Sequence, residues 1–455
     1  MKTKGSLDQR FADQMGQLIG PDFPADIGLA VSGGGDSMAM LYLAHNWARV
    51  FGVRLWICTV DHGLRTESAA EAAMVAAECK ALGWPHTTLK WTGWNGQGNL
   101  MAAARLARLR LIDRWRGGIE HVLFAHTMDD VAETFLMRLA RGSGVEGLSA
   151  MSAKQCVTPH VGGRDALAPD EIVTDLLPPI PTRRVAGVPA FSGGFDVIRP
   201  LLGERRDALR HYLKVLQGRW VDDPTNEDDR FERARVRKLL VGLNGEGMDV
   251  PTLAATAHRM ARAQEALQCR VRDVAKDVAK TDQIGDVLLD RDGFAGIERD
   301  TQMRLLAGAL MWVSSADYRP RAEALTALLD RLLAGGGGTL QGCDCRCDKT
   351  RIRVAREYAA VQDKAAPLGH QIMWDRRWQI CSHDSTLTVR PLGDDGVAQL
   401  GADFVRPAPF YALRSVPGVF SNDQLVACSM LGFGDRPRFD LRPKGQTLLN
   451  FLFTH

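Results

Sequence analysis

The run Ser32–Ser37 (Ser-Gly-Gly-Gly-Asp-Ser) combines glycines, hydroxyls and one carboxylate in a single short segment. The apolar run Ile27–Val31 precedes it and helix-forming residues follow from Met38, so a strand is predicted to end in a turn that opens a helix. Backbone N–H groups of such a turn point at a bound phosphate, and glycines let the phosphate approach closely. An acid in this place indicates either a divalent cation between it and the phosphates or a helix cap. The predicted ligands are therefore Mg²⁺ and ATP, bound by Ser32, Gly33, Gly34, Gly35, Asp36 and Ser37, with Asp36 on the metal.

Two commoner phosphate loops do not fit this run. It lacks the Lys-Ser/Thr pair of the loops that serve γ-phosphoryl transfer. Met38 stands where the dinucleotide-binding fingerprint requires a third glycine or alanine. A glycine turn that serves only strand–helix packing is the structural alternative.

Two further constellations follow predicted strands. His62 comes after the apolar run Arg54–Val60, where a surface turn with a polar histidine is the alternative. His126, Asp130 and Glu133 come after His121–Ala125, and their i, i+4, i+7 spacing predicts one helix face. Carboxylates there could bind Mg²⁺ or an amine, and the histidine could transfer a proton or contact a phosphate. Acids that merely favour a helix N-terminus are the alternative for this set.

Arginines supply candidate anion contacts. Arg105 lies about two turns into a helix predicted to begin at Asn99, from where it could reach a phosphate or an anionic intermediate. Arg141 stands in a glycine-rich loop that could approach the nucleotide. The run 230–238 carries five cations and one acid, which predicts either contact with an RNA backbone or a solvated helix face.

The surrounding pattern predicts an α/β fold. Short apolar strands alternate with helical segments through residues 20–150, which is the rhythm of a doubly wound parallel sheet. In such a sheet, residues that follow the strands meet at one edge. We expect a catalytic domain over 1–218 with an irregular insertion at 155–195, a mainly helical domain over 219–334, and a small mixed α+β domain over 335–455. The run 251–333 is predicted to be predominantly helical and 339–361 to contain strands.

Composition narrows the class of protein. The 455 residues carry a net charge of only +3, which by itself does not establish a nucleic-acid partner. No apolar run is long enough for a membrane span and no signal peptide is evident, so we expect no membrane partner. Nine scattered cysteines favour reduced thiols and a cytoplasmic location. Cys343, Cys345 and Cys347 alternate along a predicted strand too closely for a usual zinc site, and we expect them to face a core.

The motifs occur in the order found in a known enzyme family. The loop resembles the S-G-G-x-D-S loop of the N-type ATP pyrophosphatases, the PP-loop or adenine nucleotide alpha-hydrolase-like superfamily. With H-G-L-R at 62–65, H-x-x-D-D-x-x-E-T at 126–134, R-P-L-L at 199–202 and W-x-x-D-P-x-N at 220–226, residues 25–240 resemble the tRNA(Ile)-lysidine synthase family.

The resemblance implies a reaction and roles for these residues. ATP would adenylate the C2 oxygen of the wobble cytidine in the CAU anticodon of an isoleucine tRNA, and the ε-amine of L-lysine would displace AMP. Asp36 with Mg²⁺ and the loop amides would hold the pyrophosphate, with His62 and Arg141 also at the nucleotide. Arg105 and His126 would attend the α-phosphate or the adenylated base, and Asp130 and Glu133 would bind the amine and take up its proton.

Alternatives remain open on the sequence alone. Another tRNA-modifying or amidating enzyme of the same superfamily would use the same loop, although no cysteine cluster or glutaminase half is evident. A non-catalytic nucleotide- or tRNA-binding protein would have no need of Asp36, Asp130 and Glu133 together. The oligomeric state, including a homodimer, is not decided by the sequence.

Overall fold

The computed structural model describes residues 5–454, except positions 65, 95, 99, 158–166, 175, 179–193, 223–229, 231, 371, 383, 385, 402, 435–436, 442 and 444–446. The chain divides into two compact units, Met1–Gln264 and Glu265–His455. The three-domain division expected from the sequence stays a prediction.

The first unit is built on one seven-stranded sheet. Its strands are β1 (Asp26–Ala30), β2 (Arg54–Asp61), β3 (His86–Lys90), β4 (His121–Phe124), β5 (Lys154–Val157), β6 (Ile172–Val173) and β7 (Phe195–Ile198). They lie in the order β5-β7-β4-β1-β2-β3-β6. The five inner strands are parallel, and β5 and β6 pair antiparallel at the two edges. The predicted α/β class and the three predicted strands are confirmed, with ends shifted by one residue.

The strand order places the site. From β1 the chain moves outward to β2 and β3 on one side, then returns to β4 and β7 on the other. The order therefore reverses between β1 and β4, and the segments that follow these two strands lie side by side at the carboxyl edge. Ligands of open α/β sheets bind at such a switch point.

Helices cover both faces of this sheet, as a doubly wound fold requires. The first unit contains α1 (Leu7–Ile19), α2 (Gly35–Phe51), α3 (Ser68–Leu82), α4 (Leu100–Trp115), α5 (Met128–Leu139), α6 (Val145–Leu148), α7 (Arg206–Val215), α8 (Glu232–Asn244) and the start of α9 (Val250–Val278). One face packs on α1, α2 and α7 through strand residues such as Leu29 and Leu123. The other packs on α4 through Val122 and Trp115, among others. Gly28 permits this second contact, because a Cβ there would lie 3.1 Å from Val122 Cγ2.

The described parts of the predicted insertion are more regular than expected. Residues 154–157 form β5, a 3-10 turn occupies Pro169–Glu171, and β6 follows it. Glu171 accepts two hydrogen bonds from Arg114 of α4, at 2.7 and 2.8 Å, which fastens this segment to the helix layer. The prediction of an irregular segment is wrong for these residues, since both strands complete their backbone hydrogen bonds on existing sheet edges.

The second unit combines helices with three antiparallel sheets. Its elements are the rest of α9, β8 (Ala279–Thr281), β9 (Val287–Asp290), α10 (Arg291–Ala295), α11 (Arg299–Ser314), α12 (Ala322–Leu333), β10 (Gly337–Leu340), β11 (Cys343–Cys347), β12 (Arg351–Arg356), β13 (Ala366–Pro367), β14 (Ile372–Trp374), β15 (Trp378–Ile380), β16 (Thr388–Pro391), α13 (Gly393–Ala398), α14 (Phe410–Leu413), β17 (Pro417–Ser421), β18 (Gln424–Ala427), β19 (Phe439–Leu441) and α15 (Leu448–Thr454). The sheets run β10-β11-β12-β9-β8, β13-β16-β17-β18 and β14-β15-β19.

The mainly helical run expected over 251–333 is confirmed by α9, α10, α11 and α12, and β8 and β9 interrupt it. The Asp282 carboxylate accepts hydrogen bonds from the N–H groups of Ile284 and Asp286, at 3.2 and 2.9 Å, and so closes a turn that reverses the chain. The strands expected within 339–361 are confirmed as parts of β10, β11 and β12. In β11, Cys343 and Cys345 are buried as expected.

Two whole-chain expectations can be compared with the structure. All nine cysteines have free thiols. Among the described helices, none combines the length and the hydropathy that crossing a membrane requires.

Candidate functional site

The segment after β1 is a closed loop held by its own serines. Ser37 donates to the Gly34 carbonyl at 2.9 Å, and the Ser32 N–H donates to Ser37 Oγ at 3.1 Å. Gly33 has φ of +87°, a conformation that side-chain-bearing residues rarely adopt. Gly34 then caps α2, so the first N–H groups of this long helix face the loop. The predicted strand–turn–helix arrangement is confirmed.

A later segment lies against this loop. The Val221 N–H donates to the Gly33 carbonyl at 2.9 Å, and Val221 forms an isolated parallel bridge with Gly34. Trp220 Cδ1 lies 3.6 Å from where a Cβ would stand on Gly35. Trp220 and Val221 are therefore part of the loop's wall, a role that their position in the sequence did not indicate.

Asp36 lies in the first turn of α2 and contacts Arg206. The Arg206 Nε donates to Asp36 Oδ2 at 3.0 Å. Burial raises the pKa of Asp36 above its ordinary value, although the charge of Arg206 opposes that shift. Asp36 Oδ1 is buried without a hydrogen-bond partner among the described residues. This free carboxylate oxygen beside phosphate-facing amides fits a cation ligand better than a helix cap, and the cap belongs to Gly34.

The segment after β4 opens α5 with a capping box. Thr127 is fully buried and is the N-cap residue; its N–H and its hydroxyl both donate to Asp130 Oδ2, at 2.8 and 2.9 Å. His126 therefore precedes the helix, and the predicted shared face of His126, Asp130 and Glu133 is wrong for the histidine. The capping residue Thr127 has extended dihedral angles, so the helix begins only after it. The helical spacing therefore does not reach back to His126.

One guanidinium joins the acids of the two segments. Besides Asp36, Arg206 donates to Glu133 Oε1 at 2.9 Å and to Asp130 Oδ1 at 3.3 Å. Burial alone would raise the pKa of Asp130, but the charges of Arg206 and Arg233 hold it below its ordinary value. The three predicted acids thus lie around a single arginine that sequence reasoning did not single out.

Backbone contacts fix where Arg206 stands. The Met128 N–H donates to the Glu204 carbonyl at 2.9 Å, and the Arg206 N–H donates to Asp129 Oδ2 at 2.8 Å. Asp129 also pairs with Arg205, at 3.1 Å. The start of α7 is therefore docked on the N-terminus of α5.

His126 is a neutral imidazole held by Arg199. Burial, with contributions from neighbouring arginines, lowers the pKa of His126 to about 4. Its Nδ1 accepts from Arg199 Nε at 3.2 Å, which places the ring proton on Nε2. Arg199 itself is 4% exposed and also donates to the Ser152 carbonyl and the Gln155 side chain, both at 2.7 Å.

A group of cations lies beside the acids. Burial lowers the pKa of Arg199 to about 10, and the charge of Arg105 adds to that shift. Burial together with Arg105 also lowers the pKa of Arg108 and of Arg138. The hydrogen bonds described for Arg138 and Arg199 go to carbonyls, an amide and an imidazole, and none goes to a carboxylate. Like charges that lower one another's pKa in this way form a site suited to an anion.

His62 and Arg141 are the remaining residues that the sequence analysis assigned to the nucleotide. His62 follows β2 and has a buried Nδ1 without a hydrogen-bond partner among the described residues, and burial lowers its pKa to about 4. Arg141 lies in the turn after α5, is exposed, and pairs with Glu232 of α8. Arg65 and Asn99, and positions 223–226 of the W-x-x-D-P-x-N motif, lie outside the described residues.

Comparisons with known proteins agree with this geometry. The PP-loop domain family model matches residues 7–166 and 171–243. The chain is 38% identical to the tRNA(Ile)-lysidine synthase of Ruegeria pomeroyi over 441 residues, which is 95% of each chain. It is 32% identical to that of Wolbachia pipientis over 86% of each chain. It is 38% identical to that of a Bradyrhizobium species over 69% of this chain and 82% of the relative. The resemblance drawn from the motifs is thus confirmed over nearly the whole length, and the chain belongs to the tRNA(Ile)-lysidine synthase family of PP-loop proteins.

Proposed function

We propose that this chain is a ligase that uses ATP to attach lysine to an isoleucine tRNA. The C2 oxygen of the wobble cytidine in a CAU anticodon attacks the α-phosphorus of ATP, and the bond from that phosphorus to the bridging oxygen breaks to release pyrophosphate. The lysine ε-amine then attacks C2, and the bond from C2 to oxygen breaks to release AMP. The products are lysidine, AMP and pyrophosphate.

The observation that carries this proposal is the contact of Asp36, Asp130 and Glu133 with one guanidinium at the switch point of the sheet. The loop that would hold the pyrophosphate and the acids that would hold an amine therefore lie within one side chain of each other. A site that only bound a nucleotide would not require Asp130 and Glu133 in addition to Asp36.

Asp36 is the residue we assign to Mg²⁺. Its buried, unpartnered Oδ1 fits a shared position between the protein and the phosphates. Among the described residues no group of three or more His, Cys, Asp or Glu side chains could hold a metal, so phosphate oxygens and water would supply other ligands. Bound there, Mg²⁺ would neutralise charge on the departing pyrophosphate.

The other roles follow from charge and protonation. The loop amides and Ser32 and Ser37 would hold the β- and γ-phosphates. Neutral His126 would donate from Nε2 to an α-phosphate oxygen, and Arg105 would compensate the negative charge that develops there. Asp130 and Glu133 would bind the lysine ammonium and accept the proton that it must lose before it attacks. His62 and Arg141 stay assigned to the nucleotide.

Incorporation of labelled lysine tests this proposal. Isoleucine and methionine tRNA transcripts, both with CAU anticodons, are incubated with the enzyme and lysine, with and without ATP. We expect incorporation into the isoleucine transcript alone, and only with ATP. Incorporation into neither transcript would refute the function.

A matched pair of variants tests the role of Asp36. Asp36→Asn should reduce incorporation at least about 100-fold, as expected when a charge-stabilising group is lost from the transition state. Asp13→Asn, on the exposed side of α1, should leave it unchanged. Full incorporation by Asp36→Asn contradicts the assignment. The cytoplasmic location and a homodimer stay predictions, to be checked by fractionation and light scattering.

A further inference from the structure

Glu133 is surrounded by arginines to an unusual degree. Its side chain is 1% exposed. Oε1 accepts from Arg206 at 2.9 Å and from Arg237 at 2.7 Å, and Oε2 accepts from Arg233 at 2.9 Å. A carboxylate with three cationic partners has neither a free oxygen nor a need for another positive charge. In this arrangement Glu133 cannot bind the ammonium group assigned to it above.

The three arginines differ in their access to solvent. The side chain of Arg206 is 17% exposed, whereas those of Arg233 and Arg237 are 45% and 27% exposed. Arg206 is also fixed by Asp36 and by the backbone contacts of α7. Arg233 pairs with Glu133 and Asp130, and Arg237 pairs with Glu133. Because these two side chains are the more exposed, they are the two that can leave.

Their position on α8 gives them access to a polyanion. Arg233 and Arg237 are four residues apart and so share one helix face, which continues into Val236 and Leu240 packed against α5. The same helix carries the cation run for which contact with an RNA backbone is one interpretation. An RNA phosphate and the Glu133 carboxylate would thus compete for the same guanidinium groups.

Charge balance links that competition to the amine. A buried carboxylate is strongly destabilised when its cationic partner leaves without replacement. If a phosphate draws Arg233 away, Glu133 keeps Arg206 on Oε1 and has Oε2 open for another cation, and the departure of Arg237 also frees a place on Oε1. A lysine ammonium bound there would replace the positive charge that the departing guanidinium took from Glu133.

We propose that Arg233 and Arg237 form a latch that closes the amine site until tRNA is bound. In the latched state the two guanidiniums occupy Glu133 and Asp130, and tRNA opens the site by binding the arginines. This inference rests on the proposed function, since it assumes that lysine and tRNA are the substrates. It predicts positive coupling, in which tRNA and lysine raise each other's affinity by the same factor.

Equilibrium dialysis of labelled L-lysine tests the latch. The full chain is saturated with α,β-methylene-ATP, so that no adenylate forms, and is measured with and without the CAU isoleucine tRNA transcript. We expect tRNA to lower the Kd for lysine on the order of tenfold. The double variant Arg233→Gln, Arg237→Gln should bind lysine without tRNA about as tightly as the wild type binds it with tRNA.

Two other variants keep the result interpretable. Arg49→Gln removes the same charge from the exposed last turn of α2, outside the cation run, and should keep the full effect of tRNA. Arg233→Gln alone removes only the most exposed of the three arginines and should show a partial effect if the double variant does not fold. Filter binding establishes that tRNA is saturating for each protein.

The outcomes separate the latch from the function. If the wild type makes lysidine but its lysine Kd does not change with tRNA, the latch is wrong and the function stands. The same holds if the double variant folds and binds lysine without tRNA no better than the wild type does. If the wild type neither binds lysine nor makes lysidine, the proposed function itself fails.

Discussion

Replacing Arg206 by glutamine should destabilise the first unit by about 3 kcal/mol at pH 8. Removing one partner of a buried ion pair costs about 3–5 kcal/mol, because the remaining charge is left in a poorly hydrated place. The loss should fall mainly on Asp36, whose only described ion pair is with Arg206. Glu133 keeps two arginines and Asp130 keeps the Thr127 cap and Arg233, so the lower part of the range applies.

This deficit should depend on pH with a defined sign. Burial already raises the pKa of Asp36, and loss of the Arg206 charge would raise it further. In the variant the folded state then holds a proton that the unfolded state has released, so stability is present at low pH and is lost as pH rises. The deficit should be smaller at about pH 5 than at about pH 8, because it shrinks as the pH falls through the raised folded pKa toward the unfolded value of about 3.9.

Urea unfolding followed by circular dichroism at both pH values measures this effect. Arg210→Gln is the matched control, because Arg210 lies one turn later on α7 and pairs with exposed Asp222 at 3.0 Å. An exposed pair contributes about 0–1 kcal/mol, so this control should lose little. A deficit for Arg206→Gln below about 1 kcal/mol at pH 8, or one that does not shrink on acidification, would show that Arg206 is not the shared countercharge.

Three further changes test other parts of the fold. Thr127→Ala should cost about 1–2 kcal/mol and reduce hydrogen-exchange protection in α5, because it removes a buried N-cap, whereas Thr127→Ser should keep the cap. Gly28→Ala should destabilise the fold by about 1–3 kcal/mol, because the added methyl overpacks against Val122, and should therefore lower the Tm. Gly16→Ala has open space around it and should not lower the Tm. Burial lowers the pKa of His86 to about 4, so its stability contribution is lost as pH falls from about 6.5 toward 4. Over that pH range His86→Gln should reduce the change in the free energy of unfolding, measured with urea, by at most about 3 kcal/mol. A pH dependence equal to that of the wild type would contradict this assignment.

Much of the fold could be predicted because its signals are local. The apolar run Ile27–Val31 and the glycines after it specify a strand and a turn without help from distant residues, and β1 differs by only one residue. The regular alternation that follows gave the parallel sheet. The two-residue strand β6 carries no such signal, since it is a strand only because β3 offers it an edge.

The sequence analysis predicted the acidic residues of the candidate site but not the arginines that pair with them. Asp36 lies at the start of the helix that follows β1, and Asp130 and Glu133 lie in the first turns of the helix that follows β4, so topology alone brings them together. Arg206 lies 170 residues after Asp36, in a charged stretch that reads as the solvated start of a helix. The available signal was weak: a second arginine at the beginning of α7, and a four-residue spacing between two arginines of the later cation run. Only the docking of α7 and α8 on α5 shows that these cations point inward.

The sequence separation of these partners has a consequence for how the protein is made. The acids of the centre leave the ribosome early, and the arginines that neutralise them are translated later, Arg206 170 residues after Asp36 and Arg237 104 residues after Glu133. At about 5–20 residues per second, the first of these intervals takes about 10–30 seconds. During that time the nascent chain carries like charges that repel at the switch point of the sheet. The charges of the centre can therefore be fully balanced only after α7 and α8 have been translated.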